Sequence, residues 1–84
     1  MNLKGAWRLM ISRIRELRED RDLKQQVVAN VLSCSQVCYS RYETGERAIP
    51  LECLVTLAEF YDTSVDYLLG LTDEPQPYPR RKKK

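Results

Sequence analysis

Between Leu9 and Gly70, turn-forming and small residues recur so often that no regular element can run much beyond about three helical turns. Within the intervening stretches the apolar residues recur at spacings of three and four rather than alternating, so each reads as a short amphipathic helix. Leu9 to Asp20 places Met10, Ile14 and Leu17 on one face with Ile11 beside them, and leaves Arg13, Arg15, Glu16, Arg18 and Glu19 on the others. Asp22 tolerates a left-handed backbone and can end this helix, letting Leu23 tuck under the turn.

A second helix is predicted over Gln25 to Leu32, with Val28, Ala29 and Leu32 inward. Its start should fray, because Lys24 stands where a capping acceptor belongs and an ammonium cannot accept a hydrogen bond. Ser33, Cys34 and Ser35 form a break, and Ser35 can cap a third helix from Gln36 to Glu43 with Tyr39 and Tyr42 facing inward. Thr44 and Gly45 stop it. Pro50 opens a fourth helix, Leu51 to Tyr61, with Leu54, Leu57, Ala58 and Tyr61 inside. Asp62 to Ser64 interrupts, and Ser64 to Leu69 makes a fifth helix closed by Gly70. From Asp73 the text is DEPQPYPRRKKK, which offers nothing to bury and is expected to be mobile. The expected organisation is therefore an N-terminal extension over 1–8, one all-α domain of five helices over 9–72, and a mobile Pro-rich and basic tail over 73–84.

Composition agrees with one small folded domain: 84 residues, 43% hydrophobic and 31% charged. The longest uncharged stretch, Gln25 to Ser40, mixes Gln, Asn and Ser into its apolar residues and falls short of the ~18 that a membrane-spanning helix needs. No apolar block of signal-peptide length precedes Arg13 and Arg15. The three cysteines, Cys34, Cys38 and Cys53, form no CxxC pair, and there is no His to complete a zinc site. Free thiols, no metal and a cytoplasmic location are expected. The formal charge of +2 hides a division: residues 1–24 carry +3, residues 25–47 balance, residues 48–79 carry −6 and residues 80–84 carry +5. One end of the domain favours polyanions and the other repels them.

Two short helices joined by a tight connection, the second polar on its outer side, have the geometry that lets one helix enter a DNA major groove while the other braces it. The segment IRELREDRDLKQQVVANVLSCSQVCYSRYETGERAIPLECLVTLAEFYDTSVDYLLG, Ile14 to Gly70, resembles the Cro and phage-repressor type of helix-turn-helix family, also called the XRE family. Gln25, Ala29, the run Ser40-Arg41-Tyr42-Glu43, Gly45, Pro50 and the closing Asp66 to Gly70 carry the resemblance. It implies a lambda-repressor-like fold of five helices with the helix-turn-helix at helices two and three. It also implies that Gln25 bonds a phosphate, that Ser35, Gln36, Val37, Cys38, Ser40 and Arg41 lie on the groove side, and that Arg18 and Glu43 form a structural ion pair. The residue types suit these roles, since Gln can pair with adenine, Arg can fork onto guanine and Val can pack on a thymine methyl. Thr44 and Arg47, in the loop that follows, are candidates for phosphate contact.

The chain departs from the family pattern at Ser33, where Gly is usual, at Lys24, where Ser or Thr caps, and at Cys38. A redox switch between Cys38 and Cys34 is one reading. The blander one, structural thiols, is preferred because no nearby His or Lys is evident to lower a thiol pKa. Tyr39 and Tyr42 are expected in the core rather than as stacking platforms, and Trp7 either covers the core or joins a partner subunit. With no His, no phosphate loop and no nucleophile motif, an enzyme is not expected, nor a cofactor or small-molecule substrate. The expected activity is sequence-specific binding of double-stranded DNA by a repressor that occludes a promoter. A homodimer on a palindromic operator is expected, joined through helix five and Leu68, Leu69 and Leu71. The alternative is a protein-interaction module such as an antitoxin.

Overall fold

The computed structural model describes residues 3–79 and contains α1 (Leu3–Asp20), α2 (Gln25–Val31), α3 (Gln36–Thr44), α4 (Leu51–Phe60) and α5 (Val65–Leu68), with no strand among the described residues. Order and boundaries follow the sequence reading to within one or two residues, with one exception. Helix α1 starts at Leu3 rather than Leu9. Gly5, which costs a helix interior about 1 kcal/mol relative to Ala, does not stop it. The added turns bring Trp7 four residues ahead of Ile11, on the same stripe. A Cβ placed on Gly45 would lie 2.6 Å from Ile11 Cδ1 and 3.4 Å from Trp7 Nε1, so this stripe packs down on the loop after α3. Residues 3–8 thus belong to α1 and form no separate extension.

Every helix sends at least one fully buried apolar side chain to a common centre: Ile14, Val28 and Ala29, Tyr39, Leu57 and Leu68. Burying a side chain the size of Val, Leu or Ile stabilises by about 1.5–3 kcal/mol, so the short helices hold one another rather than standing alone. Leu68, expected at a subunit interface, is completely buried within this core and cannot serve there. It is Leu71, 55% exposed, that points outward.

All five helices end on a left-handed residue, at Asp22, Ser33, Gly45, Asp62 and Gly70. Four of these ends share one hydrogen bond, in which the N–H after the left-handed residue donates to a carbonyl five residues back: Leu23 to Arg18 at 3.1 Å, Cys34 to Ala29 at 3.0 Å, Thr63 to Ala58 at 2.8 Å and Leu71 to Asp66 at 2.9 Å. Asp is among the residues that enter this region with least penalty, whereas Ser33 takes it at roughly 1 kcal/mol relative to Gly. That turn sets α3 against α2.

The segment after α5 is not the free tail that its three prolines suggested. Arg13, expected on an outer face of α1, is buried, and its Nη1 donates to the carbonyls of Tyr67 and, at 2.8 Å, of Thr72. Its Nη2 meets Asp73 Oδ1 at 2.8 Å, and its guanidinium lies 4.0 Å from the centre of the Tyr67 ring. Beyond it, Thr63 Oγ1 donates to the Pro75 carbonyl at 2.6 Å and Tyr78 Oη to Asp66 Oδ2 at 2.7 Å. A buried guanidinium needs acceptors, and the carbonyls of Tyr67 and Thr72 supply them, while the Pro75 carbonyl of the extended segment takes the Thr63 hydroxyl. The basic run Arg80 to Lys84 lies outside the described residues.

Candidate nucleic-acid interface

Helix α3 is short and divided lengthwise. Tyr39, Tyr42 and Glu43 are buried, while Val37, Arg41 and Thr44 are exposed and Gln36, Cys38 and Ser40 lie between. Ser35 starts the helix, its Oγ accepting from the Cys38 N–H at 3.1 Å, so this hydroxyl is a cap on the outer rim. Helix α2 lacks such a cap, since Lys24 contributes no side-chain bond. Gly45 ends α3 at φ 81°, a backbone that favours glycine, and a Cβ there would also require the end of the Ile11 side chain to shift. Thr44 Oγ1 donates to the Arg41 carbonyl at 3.2 Å, and the Arg47 N–H to the same carbonyl at 3.2 Å, folding the loop against the end of the helix.

Beneath this surface Glu43 collects four donors. Arg18 reaches it with Nε at 2.6 Å and Nη2 at 3.0 Å, Tyr39 Oη at 2.5 Å and Gln25 Nε2 at 3.1 Å. The remaining Arg18 nitrogen, Nη1, donates to the Leu23 carbonyl at 2.8 Å. A carboxylate has about four acceptor sites, so Glu43 is satisfied although its side chain is only 4% exposed. Burial pushes the Glu43 carboxyl up, and the bonds from Arg18, Tyr39 and Gln25 outweigh it, so the group titrates below its ordinary value. Its hydrogen bond to Arg18 raises the guanidinium in turn. The pair expected from the sequence is present and joins α1 to the end of α3.

The network reaches the surface through two glutamines. Gln25 opens α2 and Gln36 opens α3, and Gln36 Nε2 donates to Gln25 Oε1 at 2.6 Å. Gln25 therefore spends its carbonyl on Gln36 and one amide N–H on Glu43, and retains one N–H. Gln36 retains its carbonyl oxygen and one N–H. The sequence held a signal for this link, since both residues stand at the first position of their helices, but nothing in their spacing of eleven announces a contact.

Cys38 departs from expectation. It is half-buried at the edge of the core together with Cys34 and Cys53, and Arg47 Nη1 approaches its Sγ at 3.8 Å. It faces sideways toward the loop rather than outward with Val37 and Arg41. Trp7 likewise packs beside Gly45, a role that the sequence left open.

The family model of the "helix-turn-helix domain" matches residues 12–69, which contain α2, the Ser33 turn, α3 and the helices that brace them. The chain belongs to this helix-turn-helix domain family. Its relatives include an uncharacterized HTH-type transcriptional regulator, YobD, of Bacillus subtilis, 43% identical over 70 residues, covering 83% of this chain and 62% of the relative. The HTH-type transcriptional regulator AnsR of the same organism is 36% identical over 70 residues, covering 83% and 60%. The cryptic phage CTXphi transcriptional repressor RstR of Vibrio cholerae is 40% identical over 59 residues, covering 70% and 53%. The chain spans about 60% of the length of the first two and about half of the third. No solved structure gives a significant match. These matches lend no support to the antitoxin alternative.

Proposed function

We propose that this protein binds double-stranded DNA through α3 and regulates transcription, as a repressor that occludes a promoter. One observation carries the reading: Gln25, Gln36, Glu43 and Arg18 lock α2, α3 and α1 together while leaving Gln36 one donor and one acceptor beside the exposed Val37 and Arg41. One donor plus one acceptor on a planar amide is what an adenine edge requires in the major groove. The amide N–H kept by Gln25, with Thr44 and Arg47 across the surface, suits phosphate. The names of the relatives, transcriptional regulators and a phage repressor, support the same reading. No helix among the described residues is long and apolar enough to cross a membrane, and the proposed site of action is the cytoplasm.

One recognition helix touches few base pairs, so the proposal includes a homodimer on a palindrome with half-sites ~34 Å apart. With Leu68 committed to the core, the exposed Leu71 and its neighbour Leu9, which packs on Gly70, are the apolar residues proposed for that contact. Selection of bound sequences from a random duplex pool at a stated salt concentration tests the whole reading. The expected product is a palindromic consensus bound with a marked salt dependence. Arg41→Ala should then lose about 1–3 kcal/mol on the selected site and relax preference at one base pair. Enrichment of no sequence, or equal losses on all duplexes for Arg41→Ala, refutes it.

A further inference from the structure

The three thiols all pack against the rim of the core, Cys34 in the turn before α3, Cys38 in the first turn of α3 and Cys53 in the first turn of α4. They hold no metal-binding arrangement, since no group of three or more His, Cys, Asp or Glu among the described residues is placed for one. Their surroundings differ. Cys38 occupies the first turn of the Ser35-capped α3, with the Arg47 guanidinium 3.8 Å from its sulfur. Tyr42, one turn on, and Cys34, in the turn before the helix, are its other polar neighbours. An arginine therefore donates to a sulfur in the first turn of a helix, at its positive end, which is an environment that stabilises a thiolate.

We infer that Cys38 is a modification site: a hydroperoxide oxidises its sulfur ahead of the other two, and Cys34 then closes on it in a disulfide. The titrations agree with that order. Tyr42 is the largest influence on Cys38 and, with Arg47, Cys34 and Arg41, holds its thiol below the ordinary value against the opposing effect of burial. Burial pushes Cys34 up, and it pushes Cys53 up with the help of the nearby Glu52.

In the first step the Cys38 thiolate attacks one oxygen of the hydroperoxide. The S–O bond forms, the O–O bond breaks, and the departing alkoxide or hydroxide takes a proton from solvent, leaving sulfenic acid on Cys38. In the second, Cys34 gives up its thiol proton and attacks the Cys38 sulfur. The S–S bond forms, the S–O bond breaks, and hydroxide leaves with that proton as water. The disulfide ties the turn at Ser33 to the first turn of α3 and takes from Arg47 the sulfur that it faces.

The experiment uses the reduced full chain and one equivalent of hydrogen peroxide, followed by thiol blocking with N-ethylmaleimide and tryptic digestion. Cleavage after Lys24 and Arg41 places Cys34 and Cys38 in one peptide, Gln25 to Arg41, and Cys53 in another. The expected result is a Gln25–Arg41 peptide two hydrogens lighter and unlabelled, with Cys53 fully labelled. Oxidation of Cys53 as fast as Cys38 overturns the proposal. Cys34→Ser should leave a sulfenic acid at Cys38 that dimedone traps, and absence of the adduct in the folded variant also overturns it. Arg47→Gln, at an exposed position, should slow oxidation severalfold, and an unchanged rate removes the role given to Arg47. The expected consequence, at least a tenfold loss of affinity for the selected duplex that dithiothreitol restores, rests on the DNA-binding reading. The peptide masses do not, so the two can fail separately.

Discussion

Helix α1 sends two arginines inward, and their partners are of different kinds. Arg18 meets a buried carboxylate, Glu43, and through it Gln25, Tyr39 and the start of α2. Arg13 meets mainly backbone, the carbonyls of Tyr67 and Thr72, with an exposed Asp73 and the face of Tyr67 around them. The first holds the recognition half of the molecule in register. The second fastens the chain after α5 to the body of the domain. A charge buried against another charge is sensitive to the loss of either partner and to acid, whereas carbonyls carry no charge to lose.

Removing one side of the charge pair should have the largest effect. Arg18→Ala strands Glu43 in the interior and is expected to cost about 3–5 kcal/mol, read from chemical denaturation. A loss no greater than that of a surface mutation would erase the contrast. Acid should act on the same station. Glu43 titrates below its unfolded value of 4.5, so its contribution is complete above that pH and disappears as the pH falls through the lower, folded value. Between pH 6 and pH 3 the wild type should therefore lose more stability than Glu43→Gln, and equal losses would show that the carboxylate is not held by its donors. Arg13→Ala should cost about 2 kcal/mol, the scale of hydrogen bonds to a charged group, and should accelerate amide exchange within residues 73–79. Exchange that stays slow there would mean that the segment is fastened by something else. Smallest of all, Asp73→Asn should leave the unfolding midpoint unchanged, because that carboxylate is 98% exposed and the carbonyls remain.

The same contrast explains what the sequence revealed. Five helices were legible because four of them end on an Asp or a Gly suited to a left-handed turn and the other on a break of small residues at Ser33, and because a three-to-four spacing fits no strand. Arg18 and Glu43 were legible as a pair only through the family resemblance. Arg13 was not, since its acceptors are main-chain atoms that any sequence possesses, and the prolines beyond Asp73 suggested freedom where they supply extended carbonyls. The start of α1 was hidden by Gly5, whose penalty is outweighed by the seating of Trp7 and Ile11 on Gly45. At the surface, Val37 and Arg41 are exposed, but Cys38 is half-buried, because it stands one turn before the buried Tyr42 on the same side of α3. The approach of Arg47 to that sulfur comes from a loop, whose course no periodicity describes.

The only tryptophan of the chain sits beside the loop that α3 runs into, partly open to water. Its emission is therefore a built-in optical gauge of that junction, needing no attached dye. A shift in colour or quenching would register any rearrangement in which the loop lifts from the first helix, whether produced by a ligand, by heat or by chemistry at a neighbouring sulfur.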